Sequence, residues 1–292
     1  MSRIKYLISF SRPLLLALAV LTYILGIGIA RYLGLAENPL AFGLGFGWVI
    51  LLLLAMNLLA VYFRPHNEPL IEEETIIERN WLRAATFQIV IAALGVVAVL
   101  TVFLFQNGLT PPAIIFGVLI LFASLAYALP PLRLITNGFG ELTLAILLAA
   151  LIPAFAFTLQ AGEIHRLLGA VAFPLTALTL VFFLILNFPN FAEDTKYERL
   201  SLLMRIGWER AVPLHHFLIL SAYLLFAAMP LIGFPWAVIW PVFLVMPFAL
   251  FQIYWMQQVS LGASPNWNFL IALATTVLGL TIYILTITFW IR

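Results

Sequence analysis

A polar stretch between two long apolar runs, NFPNFAEDTKYERLSLLMRIG at 187–207, contains the residue types best suited to chemistry. Asn190 and Asp194 are four residues apart, so on a helix their side chains lie on one face. Asn187 lies two turns before Asp194 on that face. Mg²⁺ prefers hard oxygen ligands and commonly takes only one or two protein carboxylates, with water and phosphate oxygens completing its shell. The spacing therefore predicts a metal site in which Asp194 supplies a charged oxygen and Asn190 an amide oxygen.

Two basic residues follow this aspartate and suit an anionic substrate. Lys196 offers a point charge, and Arg199 offers a planar fork that binds phosphate oxygens in pairs. Asp194 is the single aspartate of the 292-residue chain, so a metal here would depend on one carboxylate of this type. The alternative is a helix end whose polar residues meet lipid headgroups. The residues predicted to act are Asp194 and Asn190 as catalytic and metal-binding groups, with Asn187, Lys196 and Arg199 binding substrate.

A second stretch, YALPPLRLITNGFGEL at 127–142, ends one predicted helix and begins the next. We expect this connection to lie at a membrane interface. Pro130 and Pro131 cannot continue the preceding helix, because proline lacks the backbone N–H and clashes with the previous turn. Arg133 follows in a short loop, and Glu141 begins the next apolar run near the positive end of its helix dipole. Arg133 is predicted to contact a diphosphate. The alternative role is that of an interfacial anchor, which basic residues commonly supply.

These polar stretches lie in a chain that is 64% hydrophobic and 9% charged. A run of about 20 apolar residues crosses a hydrocarbon layer of about 30 Å, where only helices and closed barrels satisfy their backbone hydrogen bonds. The sequence predicts an all-α integral membrane protein with nine transmembrane helices in a single domain over residues 1–292. The nine apolar runs are roughly 13–34, 40–63, 82–106, 112–129, 139–161, 169–189, 211–232, 235–258 and 266–291.

Basic residues are distributed unevenly between the loops. With nine spans, eleven of the 14 lysines and arginines fall on one side of the membrane. Since basic residues accumulate in cytoplasmic loops, we expect a multi-pass protein of the cell (inner) membrane with a cytoplasmic N-terminus and an external C-terminus. The net charge of +2 gives no indication of nucleic acid as a partner, and the absence of cysteine excludes disulfides and thiolate metal sites. The eleven are Arg3, Lys5, Arg12, Arg64, Arg79, Arg83, Arg133, Lys196, Arg199, Arg205 and Arg210, and the other three are Arg31, Arg166 and Arg292.

Charge is concentrated in two loops, at 62–83 after the second span and at 190–210 after the sixth. Their equivalent places suggest a distant internal duplication that relates spans one to three with spans five to seven. The alternative is that both are ordinary solvated connections, as most charged runs are. The first loop contains glutamates that either bind Mg²⁺ or form a solvated helix: Glu68, Glu72, Glu73, Glu74 and Glu78.

Four motifs along the chain match one known pattern. Residues 127–141 match the signature Y-x-x-P-P-L-R-L followed by G-x-G-E, and SRP at 11–13 matches the opening S/K-x-x-R-P. Together they resemble the UbiA superfamily of intramembrane prenyltransferases, over residues from about 8 to 210. TLQAGE at 158–163 and SLLMRIG at 201–207 resemble its menaquinone branch, the 1,4-dihydroxy-2-naphthoate polyprenyltransferases. The signature residues are Tyr127, Pro130, Pro131, Leu132, Arg133, Leu134, Gly138, Gly140 and Glu141.

The resemblance implies both a fold and a chemistry. In that family nine helices surround a central cavity, where two aspartate-rich motifs face each other and hold Mg²⁺ on the diphosphate of an isoprenoid donor. Ionisation of the allylic diphosphate gives a carbocation that alkylates an aromatic ring, inside a dry apolar cavity that protects the cation from water. The expected function is intramembrane transfer of a polyprenyl group from a polyprenyl diphosphate to an aromatic acceptor such as dihydroxynaphthoate. The cofactor expected for this reaction is Mg²⁺, and membrane lipid surrounds the site.

Both aspartate motifs depart from the family pattern. The second motif should read D-x-x-x-D, but its first carboxylate is replaced here by the amide of Asn190. The first motif should read N-D-x-x-D-x-x-x-D at the end of the second span. Asn57 can stand for its asparagine and is predicted to bind substrate on the opposing wall, but Leu58 and Val61 occupy carboxylate positions.

An alternative register aligns the Asn-Glu-Pro triplet at 67–69 with the family and puts Ala60 and Arg64 at the two aspartate positions. Arg64 is predicted to bind substrate and to replace part of the missing cationic charge. Because either register removes both carboxylates, the alternative function is that of a catalytically degenerate UbiA-fold protein. Such a protein would bind or present an isoprenoid or quinone lipid.

A third interpretation, a transporter, has less support. The middle of each predicted span lacks the ionisable residue that would indicate a polar pathway. The adjacent His215 and His216 point about 100° apart on a helix, so they do not readily ligate one metal, and we expect them to lie at the membrane interface.

Overall fold

The structure, a computed structural model, describes residues 3–35, 38–71 and 74–291. Within those ranges nine helices are long and apolar enough to cross a membrane, which confirms the predicted all-α architecture with nine spans. In order, the first to ninth spans are Pro13–Tyr32, Pro39–Tyr62, Ile76–Gln106, Pro111–Ala128, Gly140–Ala161, Arg166–Asn187, Trp208–Ile232, Trp236–Ser260 and Trp267–Ile291.

Proline and capping residues determine where several spans begin. Pro13, Pro39 and Pro111 stand in the first turn of spans one, two and four, where the missing N–H costs no hydrogen bond. The side chain of Asn38 caps span two by accepting two backbone N–H groups of the first turn, both at 3.1 Å. These local signals agree with the predicted starts to within one residue.

The third span begins six residues before its predicted start, at Ile76. Thr75 caps it: the Thr75 hydroxyl accepts the Glu78 N–H at 3.2 Å, and the Glu78 carboxylate accepts the Thr75 N–H at 3.1 Å. The resulting helix of 31 residues is about 46 Å long, more than a hydrocarbon layer of about 30 Å requires. The charged first turns of this helix therefore precede the predicted apolar run at 82–106.

The fifth span is irregular at its centre and packs tightly. It consists of the α-helix Gly140–Ile146, the π-helical turn Leu147–Leu151 and the α-helix Ile152–Ala161. The wide turn comes just before Pro153, which cannot supply the hydrogen bond of a regular helix. A Cβ added to Gly26 would lie 2.2 Å from the Pro153 carbonyl oxygen, so glycine is required for this approach of the first and fifth spans.

Shorter elements complete the chain. The seventh span is the α-helix Trp208–Ala228 continued by a 3-10 turn, and the eighth combines Trp236–Ile239, a 3-10 segment and Met246–Ser260. An α-helix precedes the first span, and short helices occupy the loops after the fourth and sixth spans. The remaining short elements are Arg3–Phe10, Leu134–Thr136, Phe191–Lys196, Leu202–Ile206, Met229–Ile232 and Trp240–Val245.

Burial repeats along the chain in blocks of four spans. The apolar windows of spans one, two, five and six are between 61% and 72% buried, whereas those of spans three, four, seven and eight are between 22% and 33% buried. The first span packs on the fifth and ninth, and the sixth packs on the seventh and ninth. Two more buried (inner) spans are thus followed by two less buried (outer) spans, and this order occurs twice. A distant internal duplication predicts such an order.

The two adjacent histidines connect neighbouring helices. His215 is fully buried, and its Nε2 lies 2.8 Å from the amide nitrogen of Gln252. The Nε2 of His216 lies 3.2 Å from the backbone carbonyl oxygen of Ile253. Both histidines therefore link the seventh span to the eighth, and their position at the membrane interface stays a prediction.

Candidate functional site

A polar cavity of about 490 Å³ lies where the inner spans meet the two charged loops. Its wall carries four arginines and three carboxylates, which leaves one net positive charge when all seven are ionised. The apolar part of the wall comes from spans one, two, five, six and nine. The charged residues are Arg12, Arg64, Arg133, Arg199, Glu68, Glu141 and Asp194, and apolar residues include Leu15, Leu144, Phe182, Phe183 and Ile271.

Glu68 joins the two charged loops inside this cavity. Its Oε1 atom accepts from Arg64 Nε at 2.8 Å and from Arg199 Nη2 at 2.5 Å, and the Glu68 side chain is only 4% exposed. Arg64 and Glu68 belong to the loop after the second span, and Arg199 belongs to the loop after the sixth. The charged loops are thus packed against each other and are not merely solvated connections.

Asp194 and Asn190 lie on one helical face, as their spacing predicts. The Asp194 N–H donates to the Asn190 carbonyl at 2.8 Å, and both side chains line the cavity. Asp194 is buried, and its Oδ1 lies 3.5 Å from Arg199 Nη1. Burial raises the pKa of Asp194 above its usual range, while hydrogen bonds from Ser201 and Arg199 oppose that rise. A cation placed here would favour the ionised form.

Next to Asp194, the side chains of Asn187 and Glu141 form a second polar pair. The Asn187 amide donates to Glu141 Oε1, and the other carboxylate oxygen, Oε2, is buried without a partner in the described part of the chain. Glu141 and Asp194 are close enough to repel each other electrostatically. A buried carboxylate oxygen without a donor is costly, and a bound cation or a proton would remove that cost.

Two of the cavity arginines have unusual backbone conformations. Arg12 (φ 52°) and Arg133 (φ 35°) both lie in the left-handed region, which is uncommon for residues other than glycine. Arg12 Nη1 donates to the Tyr127 hydroxyl at 2.6 Å. Within the described ranges Arg133 makes no side-chain hydrogen bond or ion pair. Such backbone strain costs on the order of 1 kcal/mol or more per residue and tends to cluster at functional sites.

The arginines repel one another across the cavity. Burial lowers the pKa of Arg64 from its ordinary value, and Arg199, Arg12 and Arg133 lower it further, whereas Glu68 opposes them. Burial is also the main cause of the lowered pKa of Arg133. Guanidinium groups remain charged at neutral pH despite such shifts. An anion that entered the cavity would therefore relieve unfavourable interactions between like charges.

Backbone contacts hold the loop after the fourth span beside the charged loop after the sixth span. The Leu200 N–H donates to the Thr136 carbonyl at 3.2 Å, next to a parallel bridge between Asn137 and Leu200. The loop that contains Arg133 thereby lies alongside the loop that contains Arg199. These contacts explain how residues from three separate stretches reach one cavity.

Two predicted substrate-binding residues lie away from the wall. Asn57 is fully buried and is not among the described residues that line the cavity. Its Nδ2 donates to the Ser11 carbonyl at 2.9 Å and so supports the chain where the first span begins. Lys196 is exposed, with its Nζ lying 5.0 Å from the ring centre of Tyr197. The other predicted residues, Asn187, Asn190, Arg64, Arg133, Arg199 and Asp194, all line the cavity.

Three cavity residues were not assigned roles from sequence, although signals for them existed. Arg12 belongs to the SRP motif, and Tyr127 and Glu141 belong to the signature at 127–141. Of the glutamates in the first charged loop, Glu68 reaches the cavity, while Glu74 pairs with Arg79 and Glu78 caps the third span. Glu72 and Glu73 lie outside the described residues.

The donor set fits one Mg²⁺ ion on one side of the cavity. Asp194, the unpartnered oxygen of Glu141 and the amide of Asn190 are hard donors on the side of the fifth and sixth spans. From the second span, Ala60 and Val61 line the wall and carry no side-chain oxygen. Within the described residues there is no group of three or more His, Cys, Asp or Glu side chains arranged for a metal. The residues therefore fit a single ion whose remaining ligands are water and substrate.

Comparison with known proteins identifies the fold. No protein-family model matches the sequence, and no curated protein matches it. A solved UbiA homolog from Archaeoglobus fulgidus is similar over 100% of both chains, with a TM-score of 0.62 and 17% sequence identity. A digeranylgeranylglyceryl phosphate synthase is similar over 100% of this chain and 98% of its own, with a TM-score of 0.61 and 15% identity.

A further structure connects the fold with ligands. A UbiA homolog from Archaeoglobus fulgidus bound to DMAPP and Mg²⁺ is similar over 92% of this chain and 98% of its own, with a TM-score of 0.57 and 15% identity. At these identities the likeness establishes the fold alone. The chain has the fold of the UbiA homologs, as its motifs predict.

Proposed function

We propose that this protein is an intramembrane prenyltransferase that binds a prenyl diphosphate with its head group in the polar cavity. The observation that carries the proposal is the convergence of four arginines and Asp194 on one cavity whose wall continues into apolar side chains of the inner spans. Such a cavity matches an amphiphile with an anionic head and an apolar tail. The binding of DMAPP and Mg²⁺ by a protein of the same fold supports this assignment.

Different side chains would bind the head group and the tail of the substrate. Arg133, Arg199 and Arg64 bind the diphosphate oxygens and stabilise the charge that develops as the leaving group departs. Asp194 and Asn190, with the free oxygen of Glu141, would hold Mg²⁺. When bound, the ion neutralises further charge on the leaving diphosphate.

The apolar wall serves the other end of the substrate. Phe182 and Phe183 from the sixth span and Leu15 from the first line the cavity beside its charged residues. They would contact the prenyl chain and exclude water from the electron-poor carbon that is transferred. Exclusion of water favours attack by the acceptor over hydrolysis.

The acceptor we propose is an aromatic ring of the quinone-precursor type, such as dihydroxynaphthoate, with a polyprenyl diphosphate as the donor. The support comes from the motifs TLQAGE and SLLMRIG, which resemble those of the menaquinone branch. The fold itself does not select the acceptor, since a digeranylgeranylglyceryl phosphate synthase shares it. We further propose that the cavity opens to the cytoplasm, because the basic residues of the loops around it follow the positive-inside bias.

The direct test is an assay of purified protein with Mg²⁺, prenyl diphosphates of several lengths and a panel of aromatic acceptors. Diphosphate release that requires both a donor and an acceptor is the expected result. A competing function, binding or presentation of an isoprenoid or quinone lipid, is favoured by the apolar wall residues Ala60 and Val61. Each of them stands at an aspartate position of the family pattern in one of the two registers. Retention of isoprenoid without diphosphate release under every condition would support that binder and contradict the transferase.

A further inference from the structure

The Glu68 carboxylate occupies a place that an oxygen of an anionic ligand would suit, and it is poorly placed to bind a metal ion. One of its oxygens accepts from Arg64 and Arg199 together, and Arg199 lies 131 residues from Glu68 in sequence. A carboxylate between two guanidinium groups is arranged as an oxygen of a phosphate would be. A metal ion at this oxygen would have to replace both ion pairs and would face repulsion from the surrounding arginines.

The neighbouring groups extend the same anion site. Arg133 has no side-chain partner in the described ranges, and its charge interacts with Glu68 and Arg199. The Arg199–Asp194 contact is long, at 3.5 Å, so Arg199 can change partners at small cost. Once the Glu68 carboxylate moves away, the guanidinium groups of Arg64, Arg133 and Arg199 are therefore available to bind an entering head group.

We infer, on the basis of the proposed function, that Glu68 is an internal counter-ion which the diphosphate displaces from Arg64 and Arg199. The head group is then bound by guanidinium groups, with Arg133 as the third, and this binding does not require a metal. Glu68 holds the two loops together before the substrate enters and competes with it afterwards. The opposite hypothesis, that Glu68 replaces a lost aspartate as an Mg²⁺ ligand, predicts that binding requires Mg²⁺ and that Glu68→Gln binds more weakly.

The test measures binding of inorganic pyrophosphate and of geranyl diphosphate to the purified protein by calorimetry, in EDTA and in Mg²⁺. The unmodified protein should bind both ligands in EDTA. Glu68→Gln removes the competing charge with little change of shape, so pyrophosphate should bind about tenfold more tightly in EDTA. Arg64→Gln and Arg199→Gln should each bind about tenfold more weakly, because each removes a charged donor.

A matched control is available in the same loop. Glu74 pairs with Arg79 at 2.8 Å but does not line the cavity, so Glu74→Gln should leave pyrophosphate binding unchanged. Arg133→Gln does not touch the Glu68 ion pairs. It should weaken binding in EDTA even if the Glu68 variant fails to fold.

The outcomes separate this inference from the proposed function. Binding that requires Mg²⁺, or weaker binding by Glu68→Gln, would overturn the counter-ion and would leave prenyl transfer intact, since transfer is measured by acceptor-dependent diphosphate release. Tighter binding by Glu68→Gln in EDTA, together with no turnover by the unmodified protein in Mg²⁺, would support the counter-ion and count against the transferase. Equal binding by Glu68→Gln and Glu74→Gln would also overturn the inference.

Discussion

The loops after the second and sixth spans occupy equivalent places in the two halves of the bundle, yet they bring different chemistry to the cavity. The first contributes Arg64 and Glu68, which are paired with each other, beside the apolar Ala60 and Val61. The second contributes Arg199 together with Asp194 and Asn190, whose hard oxygen donors are of the kind that a magnesium ion prefers.

The two loops thus differ in the groups that they offer to an anionic head group. A site that binds a diphosphate needs positive charge, which either metal ions or guanidinium groups can supply. In the first half the charge comes from arginine, and in the second half the donor set still suits one ion. Each half can therefore be tested by substitutions that leave the other half unchanged.

The largest expected effect is a labelling pattern that is either present or absent. It tests whether both charged loops face the same side of the membrane. We would introduce cysteines by Asn67→Cys, Lys196→Cys and Asn107→Cys, at exposed positions of a chain that has no cysteine of its own. The first two should react with a membrane-impermeant maleimide only from the cytoplasmic side, and the third only from outside. Reaction of positions 67 and 196 from opposite faces would contradict the nine-span order, because it would require an odd number of spans between them.

The next largest effect is expected from the metal side. Asp194→Asn removes one charge from a buried site while nearly preserving its shape, so turnover should fall about 100-fold or more, on the order of 3 kcal/mol. Glu193→Gln is the control, since Glu193 is exposed beside it, and it should retain full activity. Steady-state rates of diphosphate release provide the measurement. Undiminished turnover by Asp194→Asn would remove the catalytic role of this residue.

Much of the fold follows from the sequence, because a hydrocarbon layer requires apolar helices of fixed minimum length. The nine predicted runs match the nine spans to within a few residues, apart from the start of the third. There the Thr75–Glu78 capping box extends the helix into a charged segment that hydropathy alone assigns to a loop.

The site was less predictable, because it depends on which helix faces meet. Asp194 and Asn190 reach the cavity together since helical periodicity relates them directly. Asn57 turns instead toward Ser11, an orientation set by the packing of the first two spans. The pairing of Glu68 with Arg199 joins positions 131 residues apart, and no local pattern indicates such a contact.

A moderate effect is expected at Arg133, where charge and backbone strain can be separated. Arg133→Gly removes the guanidinium group and also relieves the left-handed conformation, whereas Arg133→Gln removes only the charge. Both should weaken pyrophosphate binding about tenfold. Because both variants lose the same charge, Arg133→Gly should be more stable to unfolding than Arg133→Gln by about 1 kcal/mol, in a melting experiment without ligand. Equal melting temperatures for the two variants would show that the backbone at Arg133 stores no strain.

The pH dependence of turnover should report on Asp194. Its pKa is raised by burial, so a proton competes for this carboxylate at a higher pH than for an exposed aspartate. Turnover at subsaturating Mg²⁺ should therefore decline as the pH falls through the raised pKa, and more Mg²⁺ should move the decline to lower pH. The measurement is a pH–rate profile at two Mg²⁺ concentrations. Profiles that coincide would show that no metal competes with this proton.

The smallest effect is expected when the second carboxylate is returned to the sixth-span loop by Asn190→Asp. An added charge beside Asp194 should raise Mg²⁺ affinity severalfold, about 1 kcal/mol. The gain stays modest because the two carboxylates repel each other and each raises the pKa of the other. It should therefore be larger at a higher pH than at a lower pH, in a Mg²⁺ titration of diphosphate release at two pH values. Asn67→Asp is the control, since Asn67 is exposed and lies outside the cavity. If Asn190→Asp and Asn67→Asp respond to Mg²⁺ alike at both pH values, the second half of the cavity holds no metal and the two halves do not differ in the way proposed.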